Sequence, residues 1–370
     1  MRHTKRGQCT DPRDRVYALL GMLHPREAEA IKPDYSKSVL QTYEEVVMIG
    51  IEHTRTLDVL GACSLQESQI NWPSWVPHFD VVSSCSDLPC SVASGVSAAE
   101  VDLDQSGVLR AVGKRIDSVK RCIRLPSIGG SDFEVIEAVR EVVADQDLSE
   151  SSHTGTGSTF DTCCRVLYVN YDEFRREVVD SAAIPNFMSR KEALRHLLLE
   201  FDANSMGLEF QPWIWNRTLT TSTHDLIGLA PQEVQVGDEI CIMLGCDMPI
   251  LLRPLRGGKY QVVGEGFFEA LADAEWLLGP LPDNWQNKRR VDRHGRSWQA
   301  FLNPQSQQLT KEDPRLGALP VGWRTIPHDQ DEYVNLYYNV QTGQSTFEDP
   351  RLTSEELKKR GIELEELNLV

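Results

Sequence analysis

The residues of this chain that could do covalent chemistry are few and poorly spaced for it. A phosphate-cradling loop needs glycines behind a strand and a Lys-Ser/Thr tail. "HTGTGSTF" (153–160) has the glycines without the lysine or the strand, and reads as a linker. No Gly-x-Ser-x-Gly elbow and no His-Glu-x-x-His pair occurs. His196, in "KEALRHLLLE", falls on an apolar helix and reads as a packing histidine. The 9 cysteines include no Cys-x-x-Cys, so a structural zinc has no support. Cys163, Cys164, Cys241 and Cys246 sit in apolar surroundings and read as buried. Asp11, Arg13 and Asp14 bring opposite charges together, but their spacing is that of a helix start. No catalytic residue, metal ligand or cofactor is expected.

Composition narrows the partners. Of 370 residues, 55 are acidic and 38 basic, and the net charge of −17 repels nucleic acid and anionic membrane surfaces. The basic run "KRRVDRHGR" (288–296) reads as a solvated loop rather than a nucleic-acid or import signal. Scattered cysteines imply a reducing compartment. The basic N-terminus leads into no apolar core, and no apolar stretch is long enough for a bilayer. A cytoplasmic protein is the expectation.

Several elements follow from pattern. "TDPRDRVYALLGML" predicts a helix, with Asp11 capping, Pro12 in the first turn, and Val16, Leu20 and Leu23 on one face. A second helix is predicted from about Lys37, capped by Ser36, to about His53. Prolines make "NWPSWVPHFD" an extended segment that lays Trp72 and Trp75 over a core. Residues 84–98 read as a loose polar stretch. Alternation around Gln105-Ser106-Gly107 predicts a hairpin, and 132–144 and 171–200 read as helices. Three strands between Val234 and Glu265, joined with that hairpin, are expected to close a small barrel. The N-terminal helices need a cover for their apolar faces, either a second copy or the barrel.

Three blocks, in order, carry a resemblance. "CTDPRDRVYALLGML" with "PDYSKSVLQTYEEV", then "PSWVP", then "GLAPQEVQVGDEICIMLGCDMPILLRPL" with "YQVVGEGF", resemble the fungal heterokaryon-incompatibility (HET) family. In that family the Asp-Pro-Arg-Asp block closes a long α/β domain, whereas 10 residues precede Asp11 here. The resemblance therefore implies the last helices of a HET domain plus the family's C-terminal region. It implies either a truncated paralogue or a gene model that starts late. The family's association is with non-self recognition and triggered cell death.

The C-terminal third repeats itself. "LPDNW" to "EDPRL" (281–316) aligns with "LPVGW" to "EDPRL" (319–352), and the pair resembles tandem WW domains. The family pattern implies a buckle of Trp323, Tyr337 and Pro350 with Asn339 in the second module. In the first it implies Trp285, Phe301 and Pro314 with Asn303. On the opposite face the family clamps a proline between two aromatics, and the matching positions here are Leu336 and Phe347. Tyr338, two residues from Leu336, shares its face. The missing phenol at 336 costs about 1–2 kcal/mol of ligand affinity, roughly tenfold. The first module has Ala300 and Lys311 there and no clamp. The competing reading has both modules simply packed against the chain or each other.

The expected fold class is α+β. Residues 1–80 are the helical remnant of an α/β HET domain, and 81–278 hold helices and a small barrel-like region. Residues 279–317 and 318–352 form two three-stranded antiparallel WW sheets, and 353–370 a short helical tail. The expected function is non-enzymatic binding of Pro-rich protein segments through Leu336, Tyr338 and Phe347. The alternative is a cell-death effector whose active segment lies outside this chain.

Overall fold

The computed structural model describes residues 9–22, 25–65, 72–79, 88, 91–144, 159–168, 198, 210, 212–291, 297–326 and 335–370. The helix expected over 171–200, apart from Leu198, lies outside these residues, as does His196.

The frame of the molecule is one long strand. β2 (Leu109–Arg124) leaves the hairpin it forms with β1 (Val101–Leu103) and runs for 16 residues. Its first half pairs with β5 (Glu239–Met243), which pairs in turn with β6 (Ile250–Leu255) and β6 with β7 (Lys259–Glu265). The ring is shut by β15 (Glu365–Leu369), antiparallel to β2 and parallel to β7. A closed five-stranded barrel results, and it has no open edge for a stray strand to join. The segment expected to be a helical tail is thus helical only over α7 (Ser354–Lys359); its end is the closing stave. Leu367 and Leu369 alternate toward the core, and that period of two is what a helix-period reading passed over.

The second half of β2 bends away at register shifts near Asp117 and Lys120 and pairs with β3 (Arg217–Ser222). β4 (Ile227–Pro231) and the two-residue β8 (Phe267–Phe268) extend that sheet. Against it lie α4 (Asp132–Val143) and α5 (Thr159–Tyr168), which share a core of Val135, Val139, Phe160 and Leu167. The sequence reading gave Thr159 and Phe160 to a linker; they open α5. Cys163 and Cys164 are buried on that helix, as expected, and burial pushes the Cys163 thiol up to about 12.

The N-terminal helices cover the barrel. α3 (Val39–Thr54) begins at a reciprocal capping box in which Ser38 accepts from the Gln41 amide at 3.1 Å and donates its own to Gln41 Oε1. Ser36, the cap read from sequence, instead turns back onto Asp34. Tyr43, Val47 and Ile51 of α3 join Trp75, Met243, Leu252, Val262 and Leu369 in one core. Of the two covers expected for these helices, the barrel supplies one. Trp75 is fully buried, its indole N–H donating to Gly107 O at 3.1 Å. Ser74 ties the same segment to the barrel by accepting from Val262 N and donating to the Val370 main-chain oxygen. Gly245, in the turn before β6, has φ +76° and its missing Cβ would lie 2.3 Å from Ala99 N, so no other residue fits that crossing. Residues 91–98 are not the loose stretch expected: Ala93 donates to Asp247 O, and Ser94 and Ala93 are buried.

One carboxylate pins the corner where β2 changes partners. Asp117 accepts from Thr223 Oγ1, from the His224 amide at 2.9 Å and from His224 Nδ1 at 3.0 Å. Burial opposes its charge, but the Ser222 and Thr223 hydroxyls and the His224 and Ser118 amides outweigh it and hold the carboxyl well below its usual range. An unfolded Asp titrates near about pH 4, so the stability from Asp117 is complete above that pH and is lost as pH falls toward the lower folded value. Asp117→Asn is therefore expected to flatten the acid limb of stability, read as urea midpoints from about pH 6 to about pH 2. An unchanged acid limb would overturn this.

Two three-stranded antiparallel sheets stand between β8 and β15. The first is β9 (Gln286–Val291), β10 (Ser297–Asn303) and β11 (Gln308–Thr310); the second is β12 (Trp323–Ile326), β13 (Leu336–Asn339) and β14 (Ser345–Thr346).

Candidate functional site: the outer face of the second small sheet

The two sheets are the same object twice. In each, the Trp amide donates to the carbonyl of the Pro three residues earlier: Trp285 to Pro282, Trp323 to Pro320. In each, an Asn carbonyl holds the turn after the middle strand, Asn303 accepting from Gln305 and Ser306 and Asn339 from Gln341 and Thr342. The aromatics of the two middle strands, Phe301 and Tyr337, are buried, while Trp285, Trp323 and Pro314 are half-buried and Pro350 buried.

Register decides which side chains share a surface. Residues opposite one another in an antiparallel pair point the same way. Trp323 faces Asn339, Thr325 faces Tyr337, and Tyr337 faces Thr346, so Trp323, Tyr337 and Asn339 lie on one side. Leu336 faces Ile326, and Tyr338 faces both Arg324 and Ser345, so these form the other side. Phe347 follows Thr346 by one residue, at the bend that ends β14, and alternation carries it toward the Tyr338 side. It is 55% exposed, and Leu336 and Tyr338 are half-buried. The Arg324 guanidinium stands over the Tyr338 ring, 5.2 Å from its centroid. In the first sheet the matching positions are Ala300, fully buried, and Lys311, half-buried, with no ring between them.

The buried side holds a network that sequence reasoning missed. Tyr337 Oη donates to Asp349 Oδ2 at 2.7 Å, and Arg351 forks onto the same carboxylate through Nε and Nη2 at 2.9 and 2.7 Å. Burial and the Asp349 charge push the Tyr337 phenol up. Arg351 Nη1 reaches Gly317 O at 2.8 Å, and Nη2 lies 3.1 Å from Glu312, in the segment that follows the first sheet. Arg315 repeats this arrangement: it forks onto Asp313, and Nη1 donates to Gly279 O and Nη2 to Asp273 O. The same tripeptide works a third time at Asp11-Pro12-Arg13. Arg13 forks onto Asp11 and Nη1 donates to Tyr35 O and Lys37 O, both at 2.6 Å. Proline fixes the bend, the carboxylate aligns the guanidinium, and the spare N–H groups pin a distant loop. The signal was legible as a threefold recurrence of Asp-Pro-Arg.

The leucine that follows each C-terminal copy, Leu316 and Leu352, is buried with Ile242 and Leu244 of the barrel wall, Leu277 and Leu357. The sheets are therefore bolted to the body, with further ties from Glu348 to Arg55 at 2.8 Å and from Arg360 to the Arg315 carbonyl. Packing against the chain and an outward face on the second sheet coexist. Among the described residues, no group of three or more His, Cys, Asp or Glu converges as metal ligands would, and no helix is long and apolar enough to cross a membrane. No protein-family model matches this chain, and no curated protein is significantly similar to it.

Proposed function

We propose that the chain is a non-enzymatic interaction protein whose second small sheet, read as a WW domain, holds Pro-rich protein segments on Leu336, Tyr338 and Phe347. The observation that carries this reading is the register that puts Leu336 and Tyr338 on the face away from Trp323, Tyr337 and Asn339. A polyproline II segment is stiff before it binds and suits a shallow apolar face of this size. The first sheet, without a ring at either clamp position, serves as a support that fixes the second to the barrel. A role in non-self recognition in a reducing cytoplasm rests on the order of the HET-like sequence blocks alone.

Leu336 is the weak point of the groove, which makes a gain-of-function test available. Leu336→Tyr restores a flat wall and a hydroxyl donor and is expected to tighten a Pro-rich peptide about tenfold. Phe347→Ala is expected to abolish measurable binding. The measurement is fluorescence anisotropy of labelled peptides titrated with the full chain. No binding to wild type or to Leu336→Tyr at millimolar concentration would end the reading.

A further inference from the structure

The groove face holds one charge that no described residue answers with an ion pair. Arg324 is exposed, forms no ion pair among the described residues, and lies across the strand from Tyr338. Two neighbouring cations are spent: Arg351 is forked onto Asp349, and Arg55 is paired with Glu348. Arg324 Cζ lies 5.2 Å from the Tyr338 ring centroid, within cation–π reach, and a guanidinium held beside a ring keeps N–H donors that suit a planar or tetrahedral anion. A guanidinium held in this way loses less side-chain entropy on pairing than a free one.

The geometry points to a ligand in which an anionic residue, carboxylate or phosphate, lies within two residues of the proline that sits on Tyr338 and is met by Arg324. The spacing follows from a polyproline II rise of about 3.1 Å per residue set against a cross-strand side-chain separation of about 5 Å. This rests on the groove reading and deepens it, since a neutral Pro-rich peptide would leave Arg324 unused. The net charge of −17 works the other way at long range, and at about 0.15 M salt it is screened beyond roughly 8 Å, whereas a direct contact is not.

The test titrates the full chain into two sets of four labelled peptides, one set for each side of the central proline, identical except for one residue two positions from that proline: Gln, Glu, phosphoserine or Lys. The Glu and phosphoserine peptides are expected to bind about two- to fivefold tighter than the Gln peptide. The preference should vanish in Arg324→Gln, persist in part in Arg324→Lys, and fade in high salt. A phosphoserine peptide tighter than Glu assigns the site to phosphate, and the reverse order assigns it to carboxylate. Equal affinity for all four, or a preference for Lys, overturns the proposal and leaves the groove standing. Failure of every peptide to bind removes the groove reading and this inference together.

Discussion

Removal of residues 365–370 is expected to unfold the barrel, not to trim a tail. β15 is hydrogen-bonded on both sides, to β2 over Glu365–Leu369 and to β7 at Asn368 and Leu369. Leu367 and Leu369 are fully or almost fully buried in the core shared with α3 and Trp75. Losing one buried leucine side chain costs about 2–5 kcal/mol, so losing two along with the ladder consumes about as much as a whole domain's net stability. The deletion also bares the edges of β2 and β7, an invitation to aggregate. The expected outcome is loss of the near-UV circular dichroism signal and of a cooperative melt. Leu369→Ala is the milder version, at about 3 kcal/mol and a melting temperature lowered by about 6–12 °C. A truncated chain that melts as cooperatively and at the same temperature as the full one would refute the closed barrel.

The second large effect is expected at Arg351. Its guanidinium is 5% exposed and neutralises a carboxylate, Asp349, that is itself buried, while holding Glu312 and Gly317 in the segment that follows the neighbouring sheet. Arg351→Met leaves the buried Asp349 charged, with the Tyr337 hydroxyl and the residue-351 amide as the remaining partners of its side chain among the described residues. Breaking one partner of such a pair costs about 3–5 kcal/mol. Pairing the change with Asp349→Asn removes the orphaned charge and should recover a large part of the loss, whereas two independent contacts would simply add. Thermal melts and limited proteolysis of the 317–352 segment read both outcomes. Arg55→Ala serves as the contrast. That pair with Glu348 is solvent-exposed on both sides, so about 1 kcal/mol at most is at stake. An Arg351→Met chain within about 0.5 kcal/mol of wild type would show that the network is ornamental.

Rigid seating of the two sheets bears on how a ligand would be met. Independent modules on a flexible tether search space freely and gain from avidity. Here Leu316, Leu352 and the two Asp-Pro-Arg forks hold both sheets against one side of the barrel, so the second sheet has a fixed outlook relative to α3. Under the proposed function, a ligand seated at Phe347 would lie beside the Arg55–Glu348 pair at the end of that helix.

Local order was legible wherever a short-range rule controlled it. The hairpin at Gly107 and the strands around Gly245 and Gly257 follow from alternation interrupted by turn residues, the two small sheets were expected from the repeat and its resemblance to WW domains, and each is present. The cover over the N-terminal helices was legible as a need and undecided as to its source. The capping residue of α3 was misplaced by two positions although the signal was in the sequence: Ser38 has Gln41 three residues on, the capping-box spacing, whereas Ser36 has Val39 there. That Leu336 and Tyr338 share a face opposite Tyr337 was legible because faces follow from parity alone. Arg324 was not, because the register between β12 and β13, which places it against Tyr338, depends on a loop length that parity does not encode.

By itself, the sequence determined the hairpin at Gly107, the strands around Gly245 and Gly257, the duplication of the C-terminal third and the alternation that sorts side chains onto faces, since these depend on neighbours a few residues apart or on direct self-comparison. Only the tertiary structure decided that residues 365–369 shut the barrel, that the Asp-Pro-Arg forks pin loops up to 42 residues away, and that the sheets are fixed to the body. The physical reason is the range of the interaction: strand closure and guanidinium reach are settled by which surfaces meet in space, and a strand of five residues carries no mark of the partner it will find.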